Sequence, residues 1–289
     1  MLNYISSLMS RLSFSKPVFD KVLENYKKLE KNAQIPFEQL INQYKSTNNL
    51  SRELLKTAPK HIANVAKIHE YEAQLVISLA LCSHLEDLYA KNGIPESVFL
   101  ATMLDIKYKT EECMLVKGVC GIFVLYWFDA YYNLERFCLG RLQFEKYPLG
   151  FDCEINGKTY SKDTTTLKFH IPRSQKPLTP ESCDEAFSMA REFFDMPDAL
   201  FTCGSWLLYP KYETVFKQGT NLYTFRNRFK ILSVSDDPET EYPDMWRLFD
   251  MDYTGNFDDY PENSSLHKNM KAYLKSGGST GTAYGVVTK

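Results

Sequence analysis

Apolar residues in the first half of the chain recur every three or four positions, the spacing that lays one hydrophobic stripe along a helix. Val18, Phe19, Val22, Leu23, Tyr26 and Leu29 form the first such face, and Pro17 suits its opening turn. A second helix over 37–44 is expected to open at Pro36, and a short third one lies around Leu54, after the polar stretch 46–49. Residues 68–90 carry Tyr71, Leu75, Leu79, Cys82, Leu85 and Leu88 in a long helical pattern, with Gly93 beyond it as a stop. The next helix begins at Pro95 and runs through Met103. Another follows from Asp105, and its apolar end, 114–128, reads as a buried helix running into the aromatics Phe123, Tyr126, Trp127 and Phe128.

Near Leu139 the period changes. In GRLQFEKY, Arg141, Gln143 and Glu145 alternate with Leu142 and Phe144, as on a strand with one polar and one apolar face. Asn156-Gly157 then sits between FDCEI and KTYSK, a pair that accepts positive φ at both positions and so predicts a tight antiparallel hairpin. Residues 164–171 alternate again, with Thr164, Thr166, Lys168 and His170 on one face and Leu167, Phe169 and Ile171 on the other. Thr179 is a good N-cap, and Pro180 suits the first helical position. Cys183, Ala186, Phe187, Ala190, Phe193 and Phe194 follow on one helical face, which stops at Met196-Pro197. A strand over 200–209, LFTCGSWLLY, comes next. Strand, helix and strand joined by short loops predict a right-handed crossover with the two strands parallel in one sheet. A short helical region from Pro210, a strand over 229–234, an acidic loop ending in PDMWRLF, a helix over 264–275 and a last strand at TAYGVV complete the pattern. The expected division is therefore an all-helical part, 1–138, and a mixed α/β part, 139–289.

Composition narrows the classes. Thirty-four basic residues against 36 acidic ones leave a net charge of −2, which gives no global field for nucleic acid or an anionic membrane. The apolar window 114–128 is interrupted by Lys117 and falls short of the roughly 20 residues that cross a bilayer. The first 14 residues, MLNYISSLMSRLSF, have no cationic leader followed by a continuous apolar stretch, so an intracellular, cytoplasmic chain is expected. Seven dispersed cysteines without a Cys-x-x-Cys pair fit free thiols in a reducing compartment.

Several segments are similar to a known family. GIPESVFLATMLDI (93–106), LGRLQFE (139–145), FHIPRSQKPLTPESC (169–183) and AYLKSGGSTGTAYGV (272–286) resemble a bacterial acyltransferase-like family. Its members join an N-acyltransferase-type helical N-terminal domain to a GNAT-like C-terminal domain, that is, one built like the acyl-CoA N-acyltransferases. The resemblance implies an α+β or α/β fold with a βαβ crossover. It also implies acetyl-CoA or another acyl-CoA as co-substrate, with no metal, and a small-molecule or peptide amine as acceptor. Neither nucleic acid, a membrane nor a particular oligomeric state is implied.

On that plan residues 164–171 form the strand that pairs with the pantetheine arm. The loop 173–178 and the start of the next helix meet the diphosphate, which makes Lys168, His170, Ile171, Arg173, Ser174, Lys176 and Thr179 the cofactor-binding candidates. Unpaired amides at a helix N-terminus attract phosphate. RSQKPLTP, however, has no glycine and two prolines, where the common GNAT turn is glycine-rich.

Transfer to an amine needs a base, an oxyanion donor and an acid. Glu145 and His170, on the polar faces of two strands that can be neighbours, are the base candidates. The bland alternative is that Glu145 pairs with Arg141 or Lys168 while His170 bonds within the sheet. Tyr209 or Tyr212, after the second parallel strand, would be the acid on the GNAT plan, with Tyr209 preferred. Cys203 lies outside any Gly-x-Ser-x-Gly elbow and reads as structural. His69-Glu70 lacks the second histidine of a zinc helix, since Ala73 stands there, and the 277–281 glycine-rich run follows a helix, the reverse of a P-loop. Two functions remain: an acyl-CoA-dependent N-acyltransferase, or a non-catalytic GNAT-like module that binds a metabolite or a partner protein.

Overall fold

The computed structural model describes residues 1–174, 176–238 and 241–288. Gln175, inside the loop 173–178, Glu239 and Thr240 of the acidic loop, and Lys289 lie outside the described residues. The chain divides into two compact units, Met1–Cys138 and Leu139–Lys289.

The first unit is helical: α1 (Leu2–Arg11), α2 (Lys16–Asn32), α3 (Gln34–Thr47), α4 (Arg52–Ala66), α5 (Glu70–Lys91), α6 (Glu96–Lys117), a 3-10 turn at Leu125–Phe128 and α7 (Asp129–Tyr132). Every residue of α5 from Ala73 to Cys82 is buried, and α1, α2, α3, α4 and α6 all pack on it. A helix apolar around its whole circumference belongs at the centre of a bundle.

Three expectations in this unit are corrected. Helix α4 runs for 15 residues rather than one short segment, with Pro59 inside it and buried. The segments from Pro95 and Asp105 are a single helix, α6, whose inner face carries the buried polar residues Thr102, Asp105, Lys109, Thr110 and Glu112. Lys109 and Glu112 close an ion pair at 2.7 Å, and Tyr131 donates to Asp105 at 3.0 Å. These inward polar positions break the apolar stripe, so one helix reads as two. The third correction concerns 114–128. The helix stops at Lys117 because Gly118 takes a left-handed cap, φ 65°, and Met114 and Leu115 are 43% and 58% exposed. The chain then crosses α5 at Gly121, where a Cβ would come within 2.4 Å of the Tyr71 backbone, and Ile122 N–H donates to the Tyr71 carbonyl at 2.9 Å.

Strand β1 (Arg136–Leu139) spans the boundary. The second unit contains β2 (Leu142–Pro148), β3 (Cys153–Ile155), β4 (Lys158–Tyr160), β5 (Thr165–His170), α8 (Pro180–Phe194), β6 (Phe201–Ser205), α9 (Asn221–Arg226), β7 (Phe229–Asp236), α10 (Met245–Phe249), α11 (Ser265–Lys275) and β8 (Gly281–Val287). The β3–β4 hairpin turns at Asn156 and Gly157, with φ 51° and 78°, as the Asn-Gly pair predicts. The main sheet runs β2-β5-β6-β8-β7. In it β5 and β6 are parallel, joined through α8, and their neighbours are antiparallel. The expected mixed sheet with a βαβ crossover is therefore the observed fold.

Helix α8 covers one face of this sheet through Phe187, which stacks on Phe201 at 4.3 Å and meets Phe169 at 5.3 Å and Phe144 at 6.2 Å edge-on. Two details differ from the alternation pattern. Gln143 and Glu145, expected on a polar face, are 2% and 8% exposed, so both faces of β2 are covered there. The strand expected over 200–209 ends at Ser205, whose hydroxyl accepts from Leu207 N–H at 3.2 Å and turns the chain into the 3-10 segment Trp206–Leu208.

Candidate functional site

Alternation along β2 and β5 decides which side chains meet. Gln143 stands opposite His170 and Glu145 opposite Lys168, so these four share the face turned away from α8. On that face Glu145 reaches diagonally to His170, and its Oε1 lies 2.8 Å from Nε2 of the ring. A carboxylate accepting from Nε2–H selects the tautomer whose basic nitrogen is Nδ1, and it steadies an imidazolium formed there. Lys168 lays its ammonium 4.0 Å above the Tyr147 ring. Arg141, weighed as a partner of Glu145, donates to the carbonyls of Lys176 and Pro172, both at 3.0 Å.

The step between β5 and β6 is short. Leu167 pairs with Phe201 and Lys168 with Thr202, and the ladder ends there. The buried hydroxyls of Thr166 and Thr202 meet at 3.1 Å beside it. Both strands nevertheless run on: β5 stays paired with β2 to His170, and β6 stays paired with β8 to Ser205. The two parallel strands thus part beyond Lys168 and Thr202, and the parting begins one residue before His170. A strand backbone without its ladder partner is an edge on which an extended chain of amides can lie.

The loop after β5 is stapled by its own groups. Ser174 N–H donates to the Pro172 carbonyl at 2.8 Å and Lys176 N–H to Ser174 Oγ at 3.3 Å. A capping box uses both Thr179 N–H and Ser182 N–H, at 3.0 and 3.2 Å, and Cys183 N–H donates to the Thr179 carbonyl at 3.1 Å. Prolines 172, 177 and 180 contribute no amide. Arg173 closes an ion pair with Asp250 at the C-terminal cap of α10, and the Lys176 side chain is exposed. Among the cofactor-binding candidates, then, Ser174 and Thr179 spend their polar groups within the loop, Arg173 is paired with Asp250, Lys168 lies over the Tyr147 ring and Lys176 is exposed. Ile171 continues β5 into the loop.

Tyr209 belongs to a different cluster. Its hydroxyl donates to Asp236 and lies 3.1 Å from Ser279 Oγ, while Lys211 reaches Asp236 at 3.2 Å and Ser279 at 3.1 Å. The Tyr209 hydroxyl and the Lys211 ammonium together hold the Asp236 carboxyl below the usual aspartate range. Asp236 ends β7, and three strand spacings, about 14 Å, separate β7 from β5. The structure therefore joins Glu145 to His170 and holds the Tyr209 hydroxyl elsewhere. Tyr212 is buried, which pushes its phenol up. Cys203 is buried on the α8 side of β6, and burial pushes its thiol up to about 12, away from a nucleophile's range.

Two residues at this site escaped the sequence reading. Arg141 appears there only as an ion-pair candidate, and its role as a staple depends on where two carbonyls 31 and 35 residues away come to rest. Asp250 lies 77 residues from Arg173, with no local motif to single it out. The other motifs have structural occupations. His69 caps α5 by accepting from Tyr71 N–H at 3.1 Å, and the glycine-rich run packs Gly278 against the Tyr273 ring, whose hydroxyl donates to the Ser279 carbonyl at 2.8 Å. Among the described residues no group of His, Cys, Asp or Glu is arranged to hold a metal, and no helix is long and apolar enough to cross a membrane.

Comparison with known proteins gives a consistent picture. Residues 3–134 match the N-acyltransferase N-terminal domain and residues 137–287 match the GNAT-like C-terminal domain. Curated proteins give no match. Among solved structures, an acyltransferase in complex with decanoyl-CoA and teicoplanin superposes with a TM-score of 0.74 at 20% identity, covering 97% of this chain and 86% of that one. The same score and identity relate this chain to an acyltransferase in complex with CoA and 10C-teicoplanin, covering 98% and 86%. A further structure, of a variant acyltransferase with octanoyl-CoA, agrees equally well over the same shares.

Proposed function

Because the chain belongs to the family that joins an N-acyltransferase N-terminal domain to a GNAT-like C-terminal domain, we propose that it transfers an acyl group from an acyl-CoA to an amine. The acyl donor is acetyl-CoA or a longer acyl-CoA, and the acceptor is a small molecule or peptide. The observation that carries this reading is the parting of β5 from β6 one residue before His170, with Glu145 already bonded to the ring. The acyl-CoA complexes of the similar structures, and the glycopeptide teicoplanin bound in two of them, support a donor and an acceptor of these classes.

In the proposed cycle the amide-rich pantetheine arm lies along the open edge of β5, which brings the thioester beside His170. His170 Nδ1 takes the proton of the acceptor ammonium, and Glu145 stabilises the imidazolium that results. The amine nitrogen attacks the thioester carbon, the C–N bond forms as the C–S bond breaks, the imidazolium returns its proton to the departing thiolate, and the second proton shed by the nitrogen passes through the freed Nδ1 to solvent. Arg173 and Lys176 meet the diphosphate with side-chain cations, in place of the amides that the capping box has used. Tyr209 we assign to holding the end of β6 against β7 rather than to the acid role. Seven free cysteines and a CoA-dependent reaction both suit the cytoplasm.

The test is release of free CoA, followed with acyl-CoAs and a panel of amines. Glu145→Gln and His170→Gln should each lower kcat/KM by about 100- to 10,000-fold without unfolding the protein. Full activity in both variants would remove the site assignment while leaving the reaction intact. The internal hydrogen bonds of the 173–183 segment favour one other reading, a non-catalytic module that binds a metabolite or a partner protein. That reading predicts no CoA release with any amine.

A further inference from the structure

The second unit contains a groove of about 580 Å³ bounded by the β3–β4 hairpin, the middle of α8 and the first residues of β6. It opens at Phe201, the beginning of β6, whereas β5 and β6 part toward Ser205, the end of β6. The parting begins beyond Thr202, but Glu145 and His170 stand on the sheet face turned away from α8, whereas Phe201 meets Phe187 on the α8 face. The groove is therefore distinct from the candidate acyl-transfer site.

Its chemistry is one-sided. Lys158, Arg191 and Arg228 reach it, against one lining carboxylate among the described residues, Asp184, which pairs with Arg228. Among the described residues neither Lys158 nor Arg191 has a carboxylate partner; each is exposed and rests on an aromatic ring instead. The Arg191 guanidinium lies 4.8 Å from the centre of Phe201, that of Arg228 5.4 Å from Phe187, and the Lys158 ammonium 5.1 Å from Tyr160. Phe187 and Phe201 are themselves stacked and buried, so the rings hold the two guanidinium groups and the cations are what the groove presents. Guanidinium planes held on rings keep their N–H groups pointed sideways, ready for a planar or tetrahedral oxyanion, and lose little entropy on binding one. The volume is in the range of sites for small organic molecules.

We propose that this groove is a binding site for a small organic anion, a phosphate or carboxylate head on a compact apolar body. The head pairs with Arg191 and Lys158, and the body fills the space between the β3–β4 hairpin and α8. Asp184 holds Arg228 in place and lowers the net charge of the walls without cancelling it.

Phenyl phosphate is a suitable probe, titrated calorimetrically into the whole protein, with benzyl alcohol as the neutral control. Phenyl phosphate should bind with one site per chain and weaken as salt is raised, and benzyl alcohol should give no comparable heat. Arg191→Gln and Lys158→Gln change exposed side chains, and each should weaken phenyl phosphate by about tenfold or more. Absence of binding would overturn the proposal, as would affinities unchanged in both variants. Displacement of the probe by an acyl-CoA would also overturn it, by locating the anion at the parted strands. A wild-type signal indifferent to salt would do the same, since it would exclude the cations as the recognising groups.

Discussion

Glu145 and His170 illustrate what a pair of residues can reveal before any coordinates exist. Both fall on polar positions of alternating segments, and an antiparallel pairing of those segments puts them on one face. That much is legible from period two alone. Their contact also needs the register, and register follows from the 16-residue connection between β2 and β5, whose hairpin and turns carry no simple count. The loop beside them was legible only as a deficiency of glycine; how Arg141 and Asp250 hold it depends on contacts spanning tens of residues. The Tyr209 cluster offers a prediction at this scale. Asp236 is held below its ordinary pKa by the Tyr209 hydroxyl and by Lys211, so its stabilising effect is fully present above the ordinary aspartate value. The effect is lost as pH falls through the lowered value. Asp236→Asn should therefore remove part of the acid sensitivity of unfolding, which acid titrations followed by circular dichroism would detect; identical acid profiles would show that the cluster contributes nothing.

Among the elements, helix α8 was the most legible, because capping chemistry, a proline at the first turn and a three-and-four apolar period agree. Phe187 is the residue through which that helix grips the sheet, touching Phe144, Phe169 and Phe201. Phe187→Ala should lower unfolding stability by about 3–5 kcal/mol, read from denaturant titration. A loss below about 1 kcal/mol would mean that the aromatic cluster closes over the gap. Helix α6 was the least legible element. Its buried Asp105, Lys109 and Glu112 are polar residues pointing inward, and a pattern that equates polar with exposed divides the helix where they occur. The apolar 114–128 run misled in the opposite sense. Gly118 stops the helix, and Gly121 is required by the close approach to Tyr71, a fact about packing that composition does not carry.

At the scale of the whole molecule, burial sorts the seven cysteines. Burial pushes the thiols of Cys113 and Cys203 up to about 12, while Cys153, on the β3–β4 hairpin, is only half-buried. Iodoacetamide at mildly alkaline pH should label Cys153 well before Cys203 in the native protein, as read by mass spectrometry of peptides. Labelling of Cys203 at a similar rate would mean that β6 opens to solvent. The succession of a helical unit and a mixed sheet was legible from the change of period near Leu139, but the function was not, since neither period nor charge names a thioester. The central claim is that the parted strands receive an acyl-CoA. The most direct measurement is the thermal unfolding of the whole protein with acetyl-, octanoyl- and decanoyl-CoA. At about 100 times its dissociation constant, a donor that binds should add about 2.7 kcal/mol to stability and raise the melting temperature accordingly. A melting temperature unmoved by all three would contradict the account.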